Sequence, residues 1–256
     1  MQPSIDMKKL VEIAQEAGDT IMEIYKRDFT IEYKEDESPL TEADKAAHEV
    51  IVKGLQENWP EIPILSEEGK SIEYSERKDW ESLWIVDPID GTKEFIKKNG
   101  EFTVNIALAF QNAIIGGVVY APALGAMYYG FEGLGAFKTQ DGETTQLQVE
   151  SSFTTPSEGK DLVVVASRSH RSEELEIYLD KLSIKEVVSK GSSLKICQVA
   201  EGSADLYPRI GLTMEWDTAA AHAIVKFAGG NLYHVGTHQE LDYNREELLN
   251  PYFEVY

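Results

Sequence analysis

The chain has 256 residues, with 24 lysines and arginines against 45 aspartates and glutamates, a formal charge of −21. Hydrophobic residues make up 42%, enough to build a sizeable core and to exclude a wholly disordered chain. So acidic a surface excludes a broad nucleic-acid-binding face. It would also repel small anions unless positive charge is held inside the fold.

The N-terminal residues Met1 to Lys9 lack a basic segment followed by an apolar run, so no secretory signal is expected. No apolar stretch is long enough to span a membrane, which makes the expected location cytoplasmic. Asp6 reads as an N-cap, followed by Leu10, Ile13, Ala14, Ala17, Ile21 and Ile24 at helical spacing. Lys34 to Ser38 reads as a polar loop or ribbon. Thr41 caps a second expected helix with Ala46, Val50, Ile51 and Leu55 on one face, ended by Trp59-Pro60. Ile62–Leu65 and Leu83–Val86 are short apolar runs and read as strands. The first exits into Ser66-Glu67-Glu68-Gly69, the second into Asp87-Pro88.

From Thr103 to Phe137 the pattern becomes that of an antiparallel meander: Thr103–Phe110, Ile114–Tyr120, Ala126–Tyr129 and Gly135–Lys138, separated by turn residues. Within it Gly116-Gly117 and Gly133-x-Gly135 read as turns or bulges, not phosphate loops. Thr139 to Lys160 is polar and reads as a lobe boundary or surface excursion. Beyond it strands (Leu162–Ala166, Glu186–Ser189, Asp205–Tyr207, Asn231–His234) alternate with helices (Glu173–Leu182, Ser193–Glu201, Trp216–Ala228). The single cysteine, Cys197, lies on an apolar helix face and reads as core. It excludes an internal disulfide and fits a reducing compartment. The expected fold is a layered α/β (α+β) sandwich with mixed and antiparallel sheets. It is read as a single domain over 1–256, with two packed lobes at about 1–138 and 160–256.

The strongest local feature is Trp84-Ile85-Val86-Asp87-Pro88-Ile89-Asp90-Gly91-Thr92. A buried strand ends in two carboxylates three residues apart. Pro88 fixes one backbone angle, and Gly91 permits a conformation other residues resist. Such close like charges favour protonation or a hard divalent cation. An Asx-turn uses the same residues, and the segment alone is compatible with either reading. Glu67 follows its strand as Asp87 follows another, which would place both at one sheet edge. Asp217, at the start of a helix, and Asp44, in the first turn of another, also have ordinary readings as helix-terminal acids.

Asp87-Pro-Ile-Asp-Gly-Thr92, with Glu67-Glu68 before it and Trp216-Asp217-x-Ala219 after it, resembles the inositol monophosphatase superfamily of Mg²⁺-dependent, lithium-sensitive phosphatases. The resemblance runs over essentially the whole chain, from Thr41-Glu42-Ala43-Asp44 to Ala228-Gly229-Gly230, and several such motifs in order are specific. It is strongest toward the branch that hydrolyses adenosine 3',5'-bisphosphate in sulfate assimilation. Lys93-Glu94-Phe95-Ile96, Asn99 to Asn105, Ser167-Arg168-Ser169-His170, Gly191 to Lys195 and Asp205 to Arg209 carry that finer likeness.

The resemblance implies an αβαβα sandwich. It also implies two or three Mg²⁺ ions: one on Glu67, Asp87 and the Ile89 carbonyl, a second on Asp87, Asp90 and Asp217, and a third beside Glu67. Catalytic roles fall on Asp44, Glu67 and Thr92, with Thr92 backed by Asp44 orienting the attacking water. The substrate, a small nucleotide bisphosphate or its sulfated analogue, would meet Glu67, Ile89, Asp90, Gly91, Thr92, His170, Ser192, Lys195, Arg209 and Asp217. Arg168 is a further candidate for that set. Arg suits bidentate phosphate binding and Lys a point charge, although most such residues are ordinary solvated charges. An inositol monophosphatase or broad sugar phosphatase would use the same metal site, and a non-catalytic cation-binding protein the same acids. The resemblance also admits a homodimer and a peripheral inner-membrane association, although no anchor is expected from the sequence and the charge opposes an anionic surface.

Overall fold

The computed structural model describes residues 2–33, 39–149, 153–166 and 172–256. Helix α1 (Met7–Tyr25) starts where Asp6 accepts the backbone N–H of Lys8. Its apolar stripe, Leu10 to Ile24, is buried against helix α2 (Glu42–Asn58), which Thr41 caps. The hairpin β1 (Ile31–Tyr33) and β2 (Pro39–Thr41) joins them. The loop read over Lys34–Ser38 lies outside the described residues.

The main sheet holds β3 (Ile64–Ser66), β4 (Ser82–Asp90), β5 (Thr103–Phe110), β6 (Ala113–Ala121), β7 (Ala126–Phe131), β8 (Gly135–Gln140) and β9 (Glu143–Leu147), in that spatial order. β3 and β4 are parallel, and the other neighbours are antiparallel. The meander is thus one strand longer than its apolar runs suggest. β9 lies within the stretch read as a surface excursion, because its exposed Glu-Thr-Thr-Gln carries no apolar alternation. Gly116-Gly117 lies within β6, beside a register shift that leaves Ile115 extra.

Two short helices, α3 (Tyr74–Arg77) and α4 (Thr92–Ile96), flank β4. The rest of the chain forms β10 (Leu162–Ala166), α5 (Glu173–Leu179), β11 (Ile184–Ser189), α6 (Leu194–Ala200), β12 (Tyr207–Arg209), α7 (Glu215–Phe227), β13 (Leu232–His234) and β14 (Phe253–Val255). β10 pairs in parallel with β11, and β14 lies between β12 and β13. A parallel bridge from Val164 to Leu206 joins the two groups.

Three apolar clusters define the layers. α1 and α2 cover one face of the main sheet. α6 and α7 fill the space between that sheet's other face and the second set of strands. α5 covers the outside through Leu175 and Leu179. The order is αβαβα. Residues alternate face by face along the central strands, so Leu83 and Ile85 meet the α7 side while Trp84 and Val86 meet the α1–α2 side.

Candidate metal and phosphate site

The site sits where the parallel strands β3 and β4 end. Ser66 pairs with Val86, and the Glu67 N–H donates to the Val86 carbonyl at 3.1 Å, so both acidic exits share one sheet edge. In a regular strand, residues three apart point to opposite faces. Asp87 and Asp90 escape this because β4 bulges between them: Asp87 is opposite Asn105, and Asp90 is opposite Thr103. Three steps on β4 match two on β5, and Pro88, lacking an N–H, tolerates the broken ladder. The phase reversal is visible in the core, where Ile89 packs with Trp84 and Val86 on the α1–α2 side. Both carboxylates therefore face α7.

Asp217 lies in the first turn of α7 and accepts the Met214 N–H at 2.8 Å. One carboxylate oxygen from each of Asp87, Asp90 and Asp217 lies within 4.8 Å of the others. Burial pushes the Asp87 carboxyl well above its usual range, and Glu67, Asp90 and Asp217 push it further. Burial also raises Asp217, with Asp90 as the next cause. Asp87 and Asp217 therefore resist ionising unless a cation offsets the charge. The donors are all carboxylate oxygens, which suit a hard divalent cation. The ordinary readings hold at the same time: Asp87 forms an Asx-turn to the Ile89 N–H at 3.0 Å.

Asp44, buried near the same edge, accepts the Thr41 N–H and hydroxyl on one oxygen, at 2.7 and 2.6 Å. Its other oxygen accepts the Thr92 hydroxyl at 3.3 Å, and the Ile89 carbonyl lies at the same distance from that hydroxyl. Burial raises the Asp44 carboxyl, opposed by its bonds from Thr41. Gly91 precedes α4 with φ of +91°, a left-handed conformation in which a side chain would be strained.

A cavity of about 350 Å³ opens beside the carboxylates, with Asp90, Gly91, Ser192, Lys195, Arg209 and Asp217 in its walls. Ser192 has φ of +58°, and its hydroxyl donates to Asp90. Lys195 donates to the Ser192 carbonyl at 2.5 Å and lies over the Tyr207 ring. Burial lowers its pKa. Arg209 donates to the Leu212 carbonyl, while its Nε is buried without a hydrogen-bond partner among the described residues. Lys93, from the Lys-Glu-Phe run, also lines the cavity, as do Lys97 and Lys190; none was among the expected substrate contacts, because scattered lysines look like solvated surface. His170 and Arg168 lie outside the described residues. Cys197 is buried core.

The sequence model of the inositol monophosphatase family matches residues 6–251. The chain belongs to the inositol monophosphatase family. It is 49% identical over 252 residues to the 3'(2'),5'-bisphosphate nucleotidase CysQ of Salmonella typhimurium, covering 97% of this chain and 98% of that protein. Its fold is similar to the crystal structure of CysQ from Bacteroides thetaiotaomicron, with a TM-score of 0.83 and 43% identity, covering 97% and 95% of the two chains. It is also similar to an inositol monophosphatase from Thermotoga maritima, with a TM-score of 0.77 and 25% identity, covering 97% and 91%. The family is metal-dependent, and this member has an acidic cluster whose oxygens could hold a cation. No described helix is long and apolar enough to cross a membrane.

Proposed function

We propose that this chain is a Mg²⁺-dependent phosphomonoesterase that converts adenosine 3',5'-bisphosphate to AMP and phosphate, and that it accepts the 5'-phosphosulfate analogue. One observation carries the reading: Asp90 and Asp217, two of the three clustered carboxylates, line a cavity that Lys93, Lys97, Lys190, Lys195 and Arg209 also line. That pairing suits a ligand with one phosphate at the acids and a second among the cations.

Asp87, Asp90 and Asp217 would hold cations, joined by Glu67 and the Ile89 carbonyl, in two or three sites. When bound, such ions offset phosphate charge and acidify water. The chain's own groups do the rest. Asp44, anchored by Thr41, holds the Thr92 hydroxyl by its hydrogen. This leaves the Thr92 oxygen to accept a hydrogen from the attacking water, and Asp44 to take the proton released through that bond. Gly91 lets the backbone come close to the phosphate where a Cβ would be strained. Lys195 and Arg209 supply charge for the second phosphate, while Ser192 fixes Asp90. In this reading the two lobes, about 1–138 and 160–256, share the site: Asp44, Glu67, Asp87 and Asp90 come from the first, and Ser192, Lys195, Arg209 and Asp217 from the second.

A phosphate-release panel tests this. With Mg²⁺, kcat/KM should favour adenosine 3',5'-bisphosphate over inositol 1-phosphate, and Li⁺ should inhibit. Lys195→Ala and Arg209→Ala should each cost the bisphosphate about 10- to 100-fold, as expected for a charge-assisted hydrogen bond, and the inositol ester little. Equal turnover of both esters would point to a broad sugar phosphatase. Mg²⁺ binding without any phosphate release would leave only a cation-binding protein.

A further inference from the structure

Thr103 and Asn105 face the same side of β5 as Ala107 and Ala109, toward α7. Both are buried, in a strand whose other residues are apolar. They are the cross-strand partners of Asp90 and Asp87. Burying two polar side chains there is costly unless each is hydrogen-bonded. Neither bonds to the acid opposite. Both reach instead to the segment Gly191-Ser192-Ser193, about ninety residues on in the chain.

The hydrogens can be followed one by one. Asn105 Oδ1 can only accept, so the Ser193 hydroxyl, 2.7 Å away, donates to it. The Asn105 amide donates to Thr103 Oγ1 at 3.1 Å. The Thr103 hydroxyl lies 2.8 Å from Ser193 Oγ and 2.5 Å from Ser192 Oγ. The Ser192 hydroxyl and the Ser193 N–H both donate to Asp90 Oδ2, at 2.7 and 2.5 Å. The Ser192 and Ser193 hydroxyl hydrogens are thus committed to Asp90 and Asn105, and the single Thr103 hydrogen goes to one serine oxygen or is shared between the two. Because both donors fall on one oxygen, they set the rotation of the Asp90 carboxylate.

The backbone agrees with this account. Ser192 occupies the left-handed region, which a side chain occupies only when its surroundings hold it there. The Gly191 N–H donates to Glu101 Oε2 at 2.9 Å, and Lys190 lies 3.4 Å from Glu101 Oε1. A Cβ at Gly191 would come within 2.8 Å of the Glu101 carbonyl. The segment is therefore keyed closely to the start of β5.

We propose that Thr103 and Asn105 are positioning residues for cation binding: acting through Ser192 and Ser193, they lock Asp90 in its ligating orientation. This rests on the reading that Asp90 is a cation ligand. Groups that hydrogen-bond a metal-ligating carboxylate typically change affinity about 10- to 100-fold when lost. The effect should appear in cation affinity first, and in phosphate release through the Mg²⁺ concentration required.

The test is calorimetric titration of the metal-free protein with Mg²⁺ alone, alongside the Mg²⁺ dependence of turnover. Thr103→Val keeps the shape and removes the hydroxyl. It should weaken Mg²⁺ binding about 10- to 100-fold and raise the half-saturating Mg²⁺ concentration by a similar factor. KM for the bisphosphate at saturating Mg²⁺ should stay within about twofold. Thr103→Ser, which keeps the hydroxyl, should restore affinity to within a few fold. Ser193→Ala removes the same link from the loop side and should match Thr103→Val. It carries the test if the valine variant does not fold. Wild-type Mg²⁺ affinity in a folded Thr103→Val or Ser193→Ala protein overturns the proposal. A wild-type protein that binds no Mg²⁺ overturns the metal reading itself, and this inference with it.

Discussion

Asp90 receives two hydrogen bonds on one oxygen while its charge lies beside those of Asp87 and Asp217. Asparagine at this position keeps the shape and removes the charge. Asp90→Asn should lower phosphate release by about 10³-fold, the scale of a lost charge-stabilising group. The metal-free variant should melt no lower than the parent, because a like-charge neighbour is gone. Turnover and metal-free thermal unfolding measure the two halves. Unimpaired turnover would remove Asp90 from the proposed ligands. Asp44 shows why single residues are ambiguous. Its capping contact with Thr41 and its hold on Thr92 use different oxygens of one carboxylate, so structural and chemical readings are both satisfied.

At the scale of elements, the site depends on how closely α7 approaches the main sheet. Its Ala219, Ala220 and Ala223 are buried against it. On β6, a Cβ at Gly117 would come within 2.9 Å of the Ala220 carbonyl. Gly117 thus allows the approach that carries Asp217 to the β4 acids. Gly117→Val should cost about 1–3 kcal/mol in unfolding free energy by overpacking. It should also reduce turnover of the folded fraction, because the displaced helix moves Asp217. Denaturant unfolding and activity per folded protein check the two effects. The β4 bulge is the second such device: it turns a spacing of three into two carboxylates on one face.

At the scale of the molecule, His222 is buried where α7 meets the closing segments. It contacts the Tyr243 hydroxyl at 2.9 Å, Asn231 Oδ1 at 2.7 Å and Glu240 at 3.4 Å, with Lys226 nearby. Burial lowers its pKa to about 4. The unfolded chain takes up this proton near pH 6.5 and the native fold resists it, so stability falls as pH drops from about 6.5 to 4. A shift of this size corresponds to about 3 kcal/mol. The uncompensated carboxyls push the opposite way, so the signature is a difference: His222→Gln should lose this slope in melting temperature against pH. Divalent cations should act on the whole fold as well. At about one hundred times its dissociation constant, Mg²⁺ should raise the melting temperature by roughly 5–10 °C, and a chelator should reverse the rise. Matched sodium chloride should not reproduce it.

Much of this was legible in one dimension. Apolar periodicity marks α1, α2 and α7, and the runs of the meander mark β5 to β8, because burial needs a repeat of 3.6 or 2 residues. Asp87-Pro-Ile-Asp-Gly-Thr92 points to the acids only together with the other motifs in order, because an Asx-turn by itself uses the same residues. β9 and β14 were hidden, the first because it is exposed and polar, the second because it is too short to show a period. Thr103 and Asn105 left a trace, polar residues two apart in an apolar strand, but their partners are about ninety residues away in the chain. The charge of −21 behaves similarly. By itself it determined that the surface as a whole repels anions. Only the tertiary structure brought Lys93, Lys97, Lys190, Lys195 and Arg209 around one cavity with Asp90 and Asp217. Local sequence sets which groups can pair along a helix or strand, but which distant groups meet is decided by how the layers pack.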